Sequence, residues 1–338
     1  MTQRCGDTLL FRTPPVIAAQ AAVGGKKEGE GPLAAAFDEL SSDNRFGQSS
    51  WEAAEKYLQL RAARLCLQKA QLPEEKVRLV LAGDLQAQCT ASGYAMRELG
   101  VPFAGVFGAC STMAETLGLG AALCASGAAE HLLAMASSHF CAAERQFRTP
   151  LSYGAVRTPT AQWTVTAAGL LQPAGPGVPI AAATFGRVQD YQVRDINNMG
   201  AAMAPAAAST LLHYFADTHT EPQEFDCIYT GDLGQVGSSL LRELLAAEGL
   251  LVKNHVDCGC ILFDAAEQQV KSGGSGPGCC AAVLCGHILP RLLRRSQKRV
   301  LFVATGALMS QTTFLQKESI PAVAHLVELR APEKESGA

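Results

Sequence analysis

The sequence predicts a layered α/β fold made of two duplicated halves, with a helical layer held between two sheets. Three observations predict it. The stretch from Gln71 to Leu85 (Gln-Leu-Pro-Glu-Glu-Lys-Val-Arg-Leu-Val-Leu-Ala-Gly-Asp-Leu) returns from Thr220 to Leu233, each copy preceded by a helical pattern. The segments 112–128 and 279–293 are helical in pattern and almost free of charge, and a helix apolar all round must be covered on all sides. Short Val/Ile/Leu/Ala-rich strands alternate with helices, the pattern of mixed or parallel sheets.

Composition bounds the rest. The 338 residues exceed one typical domain of ~100–200 residues and fit two similar halves. Hydrophobic residues make up 48% and aromatics only 6%, so the core is built from Ala, Leu, Val and Gly. With 28 Lys+Arg against 31 Asp+Glu the net charge is -3, which excludes a strongly basic nucleic-acid binder and a highly charged disordered chain. The uncharged helical stretch 116–129 is shorter than the ~20 apolar residues a bilayer needs. The first twenty residues carry Asp7, Arg12 and prolines instead of a signal-peptide apolar block, so we expect a soluble chain kept inside a cell that meets a membrane only peripherally. Its 12 cysteines are then expected as reduced thiols, most of them small hydrophobes. No Cys-x-x-Cys and no His pair at ligand spacing predicts a metal site, and no motif predicts a cofactor.

In order along the chain, a helix is predicted from about Trp51 to Ala70, with Leu58, Ala62, Leu65 and Cys66 on one face and Ser49 and Glu52 at capping-box spacing. A strand follows, ending in Gly83-Asp84-Leu85. Cys110 comes after Phe107-Gly-Ala and before Ser111-Thr112, with Thr112 and Glu115 again at capping-box spacing. This sets its thiol at the N-terminus of the first buried helix, where free backbone N–H groups and the macrodipole lower a thiol pKa. The bland alternative is a small residue packed at a crowded turn. Beyond the buried strand 132–136 stands His139, at the carboxyl end of a strand, where α/β proteins place ligands. A lone histidine is as readily a hydrogen-bonded structural residue. Glu144, Arg145 and Arg148 follow, and two arginines flanking an aromatic suit a bidentate grip on a carboxylate.

The Gly/Pro-rich stretch 172–179 separates an N-terminal half, 1–175, from a C-terminal half, 176–330. A second outer helix runs through Ala206, Leu211, Leu212 and Phe215, and its strand ends in Gly231-Asp232-Leu233. Asp84 and Asp232 end matched strands and are expected to share a turn-capping role, with Asp232 also facing the cleft. Gly273 to Gly278, including Gly274, opens the second buried helix, where such a loop can cradle an anion, though it lacks a Walker-A Lys-Ser/Thr. A strand over 300–304 completes the pattern. Residues 331–338 are expected as a frayed tail.

A duplicated half, a Cys at a buried helix start and a Gly-rich loop opening the matching helix together resemble the thiolase-like (condensing-enzyme) superfamily. That resemblance implies five layers, αβαβα, and puts Cys110 in the nucleophile's position. The segments 231–239 and 273–278 stand where those enzymes carry catalytic Asn or His residues. Here they hold neither, and condensation needs a base and oxyanion donors besides the thiol. Longer strings (Gly31-Pro-Leu, Phe107-Gly-Ala-Cys-Ser-Thr, Ser137-Ser-His, Ala143-Glu-Arg-Gln-Phe-Arg148, Met203-Ala-Pro-Ala-Ala-Ala, Gly273-Gly-Ser-Gly and Val303-Ala-Thr-Gly-Ala-Leu) resemble the stage V sporulation protein AD family of spore-forming Firmicutes, over nearly the whole chain.

That resemblance implies a dipicolinic acid (pyridine-2,6-dicarboxylate) binding component rather than an enzyme. It would act with calcium and the membrane subunits of the stage V sporulation A complex, peripherally at the spore inner membrane, and as a homodimer. In that picture Cys110, His139 and Asp232 line the pocket with Asp84 and Gly274, and Arg145 or Arg148 pairs with a ligand carboxylate. The alternative is an active acyl-CoA condensing enzyme or acyltransferase with Cys110 as nucleophile.

Overall fold

The structure, a computed structural model, describes residues 2–147, 157–173 and 176–333. After a hairpin of Thr2–Cys5 and Thr8–Phe11, the first half runs β1 (Val16–Gly24), α1 (Trp51–Lys69), β2 (Leu79–Gly83), α2 (Thr90–Leu99), β3 (Phe103–Gly105), α3 (Thr112–Ala125), β4 (Leu132–Ser138), α4 (Phe140–Phe147) and β5 (Ala167–Pro173). The second half runs β6 (Val178–Phe185), α5 (Met199–Thr218), β7 (Cys227–Thr230), α6 (Gly234–Ala247), β8 (His255–Asp257), α7 (Pro277–Val283), β9 (Arg299–Ala307) and β10 (Ala322–Arg330). A π-helical turn, Leu284–Ile288, and a last helical stretch, Leu289–Leu293, prolong α7.

Both halves use one strand order. The first sheet reads β1-β5-β4-β2-β3 and the second β6-β10-β9-β7-β8. In each, the first two pairings are antiparallel and the last two parallel. The sheets join through Val178 and Pro179 of β6 against Ile17 and Val16 of β1. Helices α1 and α2 cover the outside of the first sheet, and α5 covers the second with α6 packed beside it. Between the sheets lie α3 and α7, and α3 touches strands of both. This is the five-layered thiolase-like αβαβα fold.

The middle layer explains the missing charge. Met113, Leu117 and Ala121 of α3 share one apolar core with Cys279 to Leu284 of the opposite helix and with strands of both sheets. Close approach needs small residues. A Cβ on Gly118 would stand 3.1 Å from the Phe185 ring of β6, and one on Gly120 would stand 2.8 Å from Leu132 Cδ2 of β4. Thr116 satisfies its hydroxyl on the Met113 carbonyl, 3.1 Å away.

Two helix starts differ from the expected capping boxes. Ser50, not Ser49, caps α1, its Oγ accepting from Ala53 N at 3.2 Å, while Glu52 pairs with Arg145 instead. Thr112 lies inside α3 and donates back to the Ala109 carbonyl at 2.7 Å, because a 3₁₀ turn over Ala109–Ser111 already leads into the helix. All 12 cysteines are free thiols. Among the described residues no helix is long and apolar enough to cross a membrane.

Candidate functional site

Cys110 sits in a tight turn at the entrance to α3. Ala109 before it adopts φ +50°, a left-handed conformation that a non-glycine residue holds only under constraint. The constraint comes from both sides. The Gly108 carbonyl accepts from Ser111 N (3.0 Å) and Ser111 Oγ (2.6 Å), and β9 presses close, since a Cβ on Gly306 would stand 2.0 Å from Gly108 O. The position at the buried helix start is the expected one.

The chemistry is not. Cys110 is only 6% exposed. Burial, then the negative charge of Asp232 and a hydrogen bond from the thiol to that carboxylate, push its pKa well above the usual thiol value. The expected lowering by the helix terminus is therefore corrected. Behind the thiol stands Cys280, whose Sγ lies 3.6 Å from the Cys110 carbonyl.

Asp232 is the hub of this site. It follows β7 and is fully buried, and its carboxylate accepts from Gly276 N (2.8 Å), Ser275 Oγ (3.1 Å) and Thr305 Oγ1 (3.1 Å). Burial outweighs these hydrogen bonds and pushes its carboxyl up to about 7. Three chain segments thus converge on Cys110: the end of β7, the Gly-rich loop and β9. Gln162, which sequence reasoning missed, ties two of them, donating from Nε2 to Asp232 O (2.6 Å) and Gly274 O (3.1 Å). Its Oε1 is buried without a partner. Nothing in the sequence around Gln162 marks it.

The remaining expected residues have other partners. Asp84 accepts from Gln86 N (2.9 Å) and from Ser92 N (2.8 Å) and Oγ (2.6 Å), which caps its own turn. Asp232 does no such work. Asp257 does it in the second half, accepting from Leu233 N (2.8 Å) and Gly234 N (3.0 Å), so the expected equivalence of Asp84 and Asp232 fails. Asp84 also belongs to a buried network with Glu55, whose carboxylate accepts from Gln86 Nε2 (2.7 Å) and Ser137 Oγ (2.8 Å). Burial first, then the Asp84 charge, hold Glu55 well above the usual carboxylate range. Sequence reasoning missed Glu55 too, although its place three residues before Leu58, on the buried face of α1, is a signal that could have found it.

His139 is a structural residue here. Its Nδ1 accepts from Ala142 N at 3.4 Å, in the first turn of α4, and its Nε2 stands 2.7 Å from the Asn44 carbonyl. Those partners require the neutral ring protonated on Nε2, and burial lowers its pKa in the same sense. Arg145 is on the exposed side of α4, paired with Glu52, and Arg148 lies outside the described residues. The arginine on this side of the site is Arg157, half-buried, 2.6 Å from Glu144 and above the stacked rings of Phe140 and Trp163. Gly274 pairs with Trp163 in a short parallel bridge and borders the site through Gln162.

Two cavities flank this centre. One of about 30 Å³, room for a single water, is lined by Glu144, Gln162, Thr164, Asn197, Met199 and Ser275. The other, about 400 Å³, is walled by Leu85 to Gln88, Phe107, Gln146 and Met309 to Thr312. Among the described residues no group of three His, Cys, Asp or Glu side chains is placed to hold a metal ion.

Among solved structures the chain is similar to 3-oxoacyl-[acyl-carrier-protein] synthase III of Aquifex aeolicus VF5, with a TM-score of 0.58 and 14% identity over 94% of this chain and 99% of that one. It is also similar to cerulenin-bound OleA of Xanthomonas campestris, with a TM-score of 0.59 and 16% identity over 95% of this chain and 97% of that one. At such identities the likeness carries the fold alone. Stage V sporulation protein AD of Bacillus subtilis (strain 168) is 42% identical over 322 residues, which covers 94% of this chain and 95% of that protein. The family model of stage V sporulation protein AD (SpoVAD) matches residues 5–330. The chain therefore belongs to the stage V sporulation protein AD family.

Proposed function

We propose that this chain binds dipicolinic acid for the machinery that moves it, with calcium, across the inner membrane of the developing and germinating spore. It does so on a condensing-enzyme scaffold that has given up acyl transfer. One observation carries the loss of catalysis: the Cys110 thiol is buried and hydrogen-bonded to Asp232, with its pKa pushed well up, whereas a nucleophile needs the thiolate. What remains of the scaffold is its ability to hold a small molecule.

The cavity that reaches Gln162 and Ser275, next to Asp232, admits one water, so the ligand is assigned to the 400 Å³ cleft that begins at Phe107. Its size falls in the range of small-molecule sites, roughly 300–1,000 Å³. Phe107, which is 51% exposed, and Met309 offer apolar walls for a flat pyridine ring. The amides of Gln88, Gln146 and Gln311 and the hydroxyls of Ser310 and Thr312 offer donors to two carboxylates. In this reading the chain works as a homodimer beside the membrane subunits of the stage V sporulation A complex, and calcium arrives with the ligand.

Titration calorimetry of the purified chain with dipicolinate and with its calcium salt tests the proposal. Binding heat is expected, reduced about tenfold or more in affinity by Phe107→Ala with Gln146→Ala, and unchanged by Cys110→Ala. No heat with either form removes the proposal. Incubation with acyl-CoA followed by intact-mass measurement is expected to leave Cys110 unmodified, and an adduct lost in Cys110→Ser would restore the enzyme reading.

A further inference from the structure

We infer that the face at the far end of the second buried helix docks on an anionic lipid surface. The segment Pro290-Arg-Leu-Leu-Arg-Arg-Ser-Gln-Lys-Arg299 puts five cations in ten residues, in a chain whose net charge is -3. It forms the end of the helical stretch Leu289–Leu293, the loop after it and the first residue of β9. Arg294 and Lys298 are exposed, Arg291 and Arg295 half-buried, and Leu293 stands 43% exposed among them.

The acids in contact with the segment meet it at its Lys298–Arg299 end. Glu328 holds Arg299 (2.6 Å) and Arg330 (2.8 Å), and Glu224 holds Arg299 (3.0 Å). Asp226 accepts from the backbone N–H groups of Lys298 and Arg299. The guanidinium of Arg295 donates to the Pro332 carbonyl, which leaves its charge uncompensated. Among the described residues Arg291, Arg294, Arg295 and Lys298 make no ion pair. Burial and then the charges of Arg291 and Arg294 hold the nearby His287 down to about 4, which agrees with an uncompensated positive field.

A helix C-terminus favours a cation or two, but Arg295 and Lys298 lie beyond its last turn. Lipid fits the chemistry better than the other polyanions. Guanidinium groups grip phosphates bidentately, their stems can lie along a headgroup layer, and Leu293 adds an apolar contact at the centre. The segment offers no aromatic side chain on which bases would stack. Geometry also suits it. β9 starts at Arg299 in the cluster and ends at Ala307, just before Met309 of the cleft, so the two lie about 25 Å apart and docking leaves the cleft open. The inference stands whether or not dipicolinate is the ligand.

Co-sedimentation of the full chain with vesicles tests it. Binding is expected to vesicles of phosphatidylglycerol and phosphatidylcholine, roughly 30:70, and not to phosphatidylcholine alone. It should disappear as salt rises from about 0.05 to about 0.5 M. The triple variant Arg291→Glu, Arg294→Glu, Lys298→Glu should lose about a hundredfold or more in partitioning while its melting temperature stays within a few degrees of the parent. Leu293→Ser should lose several-fold with the salt dependence kept. A control, Arg12→Glu with Lys317→Glu, reverses exposed charges elsewhere and should bind as the parent does. Equal binding to uncharged vesicles, indifference to the triple reversal, or tighter binding to single-stranded RNA than to vesicles of matched charge would each overturn the assignment.

Discussion

At Cys110 two effects oppose each other. The N-terminus of α3 favours a thiolate by about 0.3–1 kcal/mol, and up to ~2 in partly buried sites. Taking an uncompensated charge out of water costs several kcal/mol, and the Asp232 carboxyl adds repulsion. The neutral thiol wins. The turn that presents it was readable from Phe107-Gly-Ala-Cys110, because a turn is local. Its partners were not: Gly276 is 44 positions from Asp232 and Thr305 is 73. His139 carries the opposite lesson, since a strand-end histidine is chemically suited to a ligand and is here a helix cap. His139→Ala should lower stability by about 1 kcal/mol and leave ligand affinity unchanged. Urea melts and calorimetry on the same sample check both halves of that statement, and an affinity loss at unaltered stability would return His139 to the site.

Elements were legible where their pattern was long. The predicted helix from Trp51 to about Ala70 is observed as Trp51–Lys69, and its buried face carries Leu58, Ala62 and Cys66 as the spacing required. α3, uncharged after Glu115, was legible as a covered helix, and it is buried between the sheets as far as Ala121, while its last turn, Ala122 to Ala125, is half-buried. Capping boxes were the weak point: Glu52 stands at box spacing from Ser49, yet Ser50 caps the helix and Glu52 pairs with Arg145, a partner far along the chain. The core position Leu117 is 1% exposed in this middle layer. Leu117→Ala should cost about 2–5 kcal/mol, since sheets packed on both sides cannot collapse into the space. A chemical-denaturation midpoint within experimental error of the parent's would contradict the sandwiched layer.

At the scale of the molecule, buried carboxyls lie in both halves. Burial pushes Glu28 up to about 7, and Asp232 up to about 7, from usual values of 4.5 and 3.8. Between about pH 4 and 7 the folded chain therefore holds protons that the unfolded chain has released. Through that window these two carboxyls make stability fall as pH rises; Glu55, pushed up to about 8, extends the fall beyond pH 7, and the buried His255, His287 and His325, held down to about 4, oppose it below about pH 6.5. Glu28→Gln and Asp232→Asn should each flatten the slope by up to one proton, about 1.4 kcal/mol per pH unit. Thermal melts from pH 5 to 8, set beside the parent, measure it. Variants whose slope matches the parent's would contradict the burial of these groups.

The sequence by itself determined the duplication, the two covered helices, the glycine-framed turn at Cys110 and membership in a sporulation family. All of these are written in local strings or in residues that repeat along the chain. Only the tertiary structure decided that Asp232 hydrogen-bonds the thiol and holds it neutral, that Asp257 and not Asp232 serves as the counterpart of Asp84, and that the roomy cleft lies at Phe107 and not at Cys110. Those outcomes depend on distances between segments far apart in the chain, and on how completely water is excluded between two sheets. Neither quantity is carried by any single stretch of residues.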